Sequence, residues 1–163
     1  MNYRYSLCLV LLLSVLGCIP PYTGPKTSNY SPLEVTISGI NKHSAYPDDV
    51  VFLHICDPNT NQETAFIKFT TDITQKTINL DNNTSYILRF SSIEPHFGGH
   101  TSCISHTYIS PMPGESYKIT YTTRKESCSS TLMKSTNGNQ FAIQSTDEGR
   151  VGGVQFTAKV VRR

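Results

Sequence analysis

Leu33-Glu34-Val35-Thr36-Ile37-Ser38-Gly39 places an apolar or small residue at every second position. Side chains of an extended chain point alternately to its two faces, so this run is a strand with one face buried and the other wet. The same texture recurs outward from it. Val50–Cys56 is β-branched and aromatic up to the turn Asp57-Pro58-Asn59-Thr60-Asn61, and Glu63–Thr70 alternates through Ala65, Ile67 and Phe69. Lys76–Leu80 is short, and Thr84–Ser91 follows the turn Asp81-Asn82-Asn83. Thr101–Ser110, Glu115–Arg124 and Cys128–Lys134 come next, with Pro111-Met112-Pro113-Gly114 as the reverse turn that makes a hairpin of the first two. After the strong turn signal Asn137-Gly138, Gln140–Gln144 and Val151–Val161 each give a strand. Strands at intervals of about ten residues, with no convincing helix between them, predict an all-β sandwich, with a closed barrel as the alternative.

Composition narrows the function classes. A chain of 163 residues has room for one domain of ordinary size. Charged residues make up 16%, below the common ~25%, and 14 Lys and Arg nearly balance 12 Asp and Glu. There is no acidic or basic tail and no electrostatic case for nucleic acid.

The first seventeen residues have another character. Arg4 precedes the apolar run Leu7–Leu16, and no acid appears before Glu34. As a helix the run spans about 15 Å, half the ~30 Å hydrocarbon layer, which suits the core of a secretory signal and not a membrane span. Val15-Leu16-Gly17-Cys18 then resembles the lipobox of bacterial lipoproteins, with Leu16 where that family more often has Ala, Ser or Thr. The resemblance implies cleavage after residue 17 and a covalent lipid (diacylglyceryl plus an amide-linked acyl chain such as palmitate) on Cys18. It also implies an outer rather than an inner membrane, because Ile19 replaces the Asp that favours inner-membrane retention. Residues 18–32, rich in proline, read as a flexible tether holding a single domain, 33–163, off the lipid.

At the level of architecture the strand pattern is similar to the immunoglobulin-like or transthyretin-like sandwiches of small envelope lipoproteins. The run from Cys103 through Pro113-Gly114 and Tyr117 to Cys128 is similar to the spacing in small lipoproteins whose function is unknown. A likeness of fold carries no activity with it. The expectation is a membrane-anchored envelope component that acts by structural contact or protein binding, with its domain in the periplasm or at the cell surface. Its envelope partner is not specified by the residues. A subunit of a secretion or assembly machine is an alternative.

Of the five cysteines, Cys8 falls in the signal and Cys18 carries the lipid, leaving Cys56, Cys103 and Cys128. Export exposes them to an oxidising compartment, so one disulfide is expected. If 101–110 and 115–124 pair about Pro113, Cys103 lies opposite about residue 124 and Cys128 is a bend away. That favours Cys103–Cys128 and leaves Cys56 as a buried thiol.

Three of the five histidines, His96, His100 and His106, fall on or beside the stretch Glu94-Pro95-His96-Phe97-Gly98-Gly99-His100. Neutral imidazoles suit zinc or copper, so a periplasmic metal-binding lipoprotein is a second alternative. Against it, Cys103 is lost as a ligand if oxidised, and the spacing matches no established zinc pattern. The other reading is a set of solvated histidines on a glycine-loosened loop. His54 precedes Cys56 by two residues, but no nucleophile signature surrounds them. There is no G-x-S-x-G, phosphate-cradling loop or H-E-x-x-H, so the chain is not expected to be an enzyme. Tyr117 and Tyr121 share a face, either core or an exposed binding patch.

Overall fold

The computed structural model describes residues 19–26, 28–124, 127–136, 139–145 and 160–161. The signal 1–17, Cys18, the Asn137-Gly138 turn and most of the last expected strand lie outside the described residues. Every regular element is a strand. β1 is Tyr30–Ser38, β2 Val50–Cys56, β3 Glu63–Phe69, β4 Gln75–Asp81 and β5 Tyr86–His96. β6 is Gly99–Ile109, β7 Glu115–Arg124, β8 Ser127–Thr136, β9 Asn139–Ser145 and β10 Val160–Val161.

They form two packed sheets, a β-sandwich. One has the order β10-β9-β8-β7-β1-β4 and the other β3-β2-β5-β6. Neighbours are antiparallel apart from β1 and β7, which run parallel from Leu33 opposite Tyr117 to Ser38 opposite Thr122. The alternation seen in the sequence sets the burial. Leu33, Val35 and Ile37 of β1 and Val51, Leu53 and Ile55 of β2 point inward with Phe69, Leu80, Phe90 and Ile119. Tyr117 and Tyr121 belong to this core. Tyr121 stacks on Phe90 with ring centroids 4.9 Å apart and donates its hydroxyl to Ser92 Oγ at 3.1 Å. Burial pushes its phenol up to about 12.

β1 ends where the chain must pass beside β7. Gly39 has φ +86°, and a Cβ there would lie 2.0 Å from the Thr123 carbonyl oxygen. Only glycine meets both the left-handed backbone and the close approach.

Three expectations need correction. Residues 101–110 and 115–124 are not a hairpin: β6 and β7 lie in opposite sheets, and residues 110–114 cross between them. The hairpin partner of β6 is β5, in unbroken register from Tyr86–Ile109 to His96–Gly99. Hence the supposed loop 94–100 is strand as far as a two-residue tip, Phe97-Gly98. The supposed tether is also largely seated. Pro21 bridges to Phe66 of β3, the Tyr22 N–H donates to the Phe66 carbonyl at 3.1 Å, and the Tyr22 hydroxyl donates to the Asn79 carbonyl of β4. Residues 21 and 22 thus strap the outermost strands of both sheets together, and the Tyr22 ring packs on the core.

Candidate functional site

The outer face of the four-stranded sheet gathers most of the unusual surface. On β2, Phe52 and His54 point outward; their cross-strand neighbours on this face are Phe66 and Lys68 of β3 and Arg89 and Ser91 of β5. A register shift at Ile55/Cys56 brings Glu63 opposite Cys56. Glu63 accepts from Arg89 Nη2 at 3.0 Å and lies 2.8 Å from His54 Nδ1 without hydrogen-bond geometry, while His54 Nε2 lies 2.9 Å from Ser91 Oγ. Serine, imidazole and carboxylate therefore stand in line in the order used for acyl transfer. Such a reaction also needs donors aimed at an oxyanion. β5 lies between β2 and β6, so its main-chain N–H groups belong to those ladders, and Glu63 divides itself between His54 and Arg89. The array is a tie across three strands.

The other half of this face exposes apolar side chains set among Ser91, Ser102 and His106. Nine large hydrophobic side chains are exposed among the described residues, and four of them, Ile93, Phe97, Ile104 and Tyr108, belong to the β5–β6 hairpin. Ile93 pairs with Ser102 and Ile104 with Ser91, which sets the two isoleucines diagonally beside each other on one face. Tyr108 follows four residues along β6, beyond His106 on the same face, and Phe97 at the tip is 99% exposed. A hairpin that exposes this much apolar side chain in one run has the composition of a contact surface. Sequence reasoning missed this strip because it took 94–100 for loop and assigned β6 to the wrong partner. The alternation Ser102-Cys103-Ile104-Ser105, which sets Ile104 on the face away from Cys103, was the usable signal.

The histidines of the metal-binding alternative do not converge. Pro95 is opposite His100 and His96 opposite Gly99, so His96 and His100 occupy opposite faces of the hairpin. His106 stands six residues beyond His100, about 20 Å along the strand at ~3.3 Å per residue. No group of three or more His, Cys, Asp or Glu with metal-binding arrangement occurs among the described residues. Cys103 and Cys128 form a disulfide, with Cα atoms 6.0 Å apart, and Cys56 is a buried free thiol whose pKa burial raises. The disulfide joins β6 to β8 and so links the two sheets. Cys18, the expected lipid carrier, is outside the described residues.

A depression of about 370 Å³ lies on the outer face of the six-stranded sheet, by Glu34, Lys118, Met133 and Lys134. Its charges are spent internally, since Lys118 pairs with Glu34 at 2.7 Å and Lys134 with the largely buried Glu115. Burial raises the Glu115 pKa, but bonds from Lys134 and Tyr117 outweigh it and hold the carboxyl below its usual range. No protein family, curated protein or solved structure matches this chain.

Proposed function

We propose that this chain is a bacterial lipoprotein, anchored through lipid on Cys18, whose sandwich works as a binding or structural component of the cell envelope and not as a catalyst. The observation that carries the binding half is the exposed strip Ile93, Ile104, Tyr108 and Phe97 on one continuous hairpin. Free apolar surface of this kind is costly to display, and a partner that covers it recovers that cost. Aromatic and aliphatic anchors at the centre of such a patch carry most of an interface's energy. The anchor half rests on the apolar run Leu7–Leu16 and the lipobox-like Val15-Leu16-Gly17-Cys18. Ile19 in place of Asp favours the outer membrane.

Two measurements test the two halves separately. Intact mass of protein extracted from the membrane fraction is expected to equal residues 18–163 plus a diacylglyceryl group and an acyl chain, less two hydrogens for the disulfide. A mass without lipid refutes the anchor. A photo-crosslinking residue at Ile104 is expected to capture a discrete envelope protein in cells, and the same residue at Thr77, on the other sheet, is not. Equal labelling from both sites, or none from Ile104, refutes the hairpin as the binding surface.

A further inference from the structure

The strap at Pro21–Tyr22 changes what a lipid on Cys18 would do. Only Ile19 and Pro20 separate Cys18 from the seated Pro21. Three residues, fully extended, reach at most about 11 Å. The strap runs parallel to β3, so the chain before it heads toward the Glu63 end of that strand, along the narrow side where β3 and β4 lie. That side exposes Lys26 on the segment after the strap, Lys68 on β3 and Lys76 on β4. Of the acids nearby, Glu63 is held by Arg89, Asp72 is paired with Lys42 at 2.9 Å, and Asp57 and Asp81 accept from the backbone N–H groups of Asn59 and Asn83. Ile19, exposed by 39%, stands at the start of the same side.

Resting on the anchor reading above, the geometry points to a seat: the β3/β4 side of the sandwich lies directly on an anionic lipid surface. Pro21–Tyr22 acts as the clamp that prevents the domain from swinging on a tether. Short reach from the acylated residue fixes distance, and the three lysines supply charge complementary to acidic headgroups. β6 is three strands from β3 in the same sheet, about 14 Å at ~4.8 Å per spacing. The seat therefore turns the apolar hairpin away from the bilayer, toward whatever partner covers it.

The chain has no tryptophan, which makes a single introduced one an unambiguous reporter. Thr64 on β3 and Tyr108 on β6 are exposed and lie at similar heights along their strands. The full-length protein, processed in cells and extracted from membranes, is reconstituted in anionic vesicles carrying a headgroup spin label, as the Thr64→Trp or the Tyr108→Trp form. Several-fold stronger quenching of Thr64→Trp is expected. Tyr22→Ala, which releases the clamp, is expected to bring the two probes together. Charge reversal at Lys26, Lys68 and Lys76, which leaves the core untouched, is expected to weaken Thr64→Trp quenching even if Tyr22→Ala fails to fold. Equal quenching of the two probes on protein shown by mass to carry lipid overturns the seat alone. Protein that carries no lipid overturns the anchor and the seat with it.

Discussion

The two narrow sides of the sandwich are closed by different chemistry. On the β3/β4 side the inward residues are large and apolar, Ile67 and Phe69 facing Ile78 and Leu80, and the closure is a strap held by one tyrosine. On the β6/β8 side small hydroxyl residues share the interior with Ile109 and Leu132. Ser105, Thr107 and Ser130 are buried there, with Ser105 Oγ 2.8 Å and Thr107 Oγ1 3.0 Å from Ser130 Oγ. Hydroxyls that satisfy one another add little net stability compared with the 1.5–3 kcal/mol of a buried aliphatic side chain. The Cys103–Cys128 bond falls on the side whose own packing is weakest. A covalent cross-link supplements the thinner apolar contact of that side, on the strand that shows Ile104 and Tyr108 outward.

The largest test of this contrast is removal of the cross-link. With its ends 25 positions apart in sequence, Cys103→Ala with Cys128→Ala is expected to cost about 3 kcal/mol, read as a drop in urea midpoint. A loss near zero would mean the hydroxyl side holds without help. Tyr22→Ala comes next, at about 2 kcal/mol, because the ring is only partly buried. Tyr22→Phe, which keeps the ring, should lose about 1 kcal/mol. If the two substitutions cost the same, the hydroxyl bond rather than ring packing holds the strap.

Alkali should then separate the sides further. Burial first, then the charges of Tyr86 and Asp81, push Tyr22 from 10.0 up to about 12. The folded protein thus keeps a proton that the unfolded chain releases above pH 10, so its contribution is complete below that pH and is lost as pH rises through about 12. Absorbance at alkaline pH is expected to show the exposed Tyr108, whose pKa is lowered by hydrogen bonds with Ser110 and Ser85, ionising before Tyr22 and Tyr121. Stability of the Tyr22→Phe variant should fall less steeply than that of wild type over the same span. The smallest effect belongs to the outer face. Glu63→Gln weakens the tie to His54 and Arg89 and is expected to cost at most about 1 kcal/mol, since the pairs are near the surface. A larger loss would mark the tie as a structural element in its own right.

Much of the architecture was legible because β-strand burial is written with a period of two. Leu33, Val35 and Ile37, and again Tyr117, Ile119 and Tyr121, declare their faces without help from the rest of the chain. Pairing between sheets has no such local signature. The Cys103–Cys128 partnership was named correctly, but from a hairpin that does not exist; the two cysteines meet across the sandwich. Pro21 and Tyr22 read as tether because a two-residue strap is too short for any periodicity to show. Glu63, His54 and Ser91 come from three strands and meet only through a register shift at Cys56, which no spacing in the sequence announces. The apolar strip was hidden by a glycine pair, Gly98-Gly99, that looks like loop and in fact closes a tight turn.

One strand also dictates when the molecule can form. β1 sits between β4 and β7, with Glu34 opposite Thr77 on one side and Lys118 on the other. Its parallel partner lies 84 residues later in the chain, so no early stretch can complete the six-stranded sheet by itself. Closing so wide a loop is slow, and long-range pairings of this kind place a protein among the slower folders. A ribosome delivering this chain from its N-terminus would therefore release β1 and its antiparallel partner β4 well before β7 arrives. One edge of β1 stays open until residue 122 has been made.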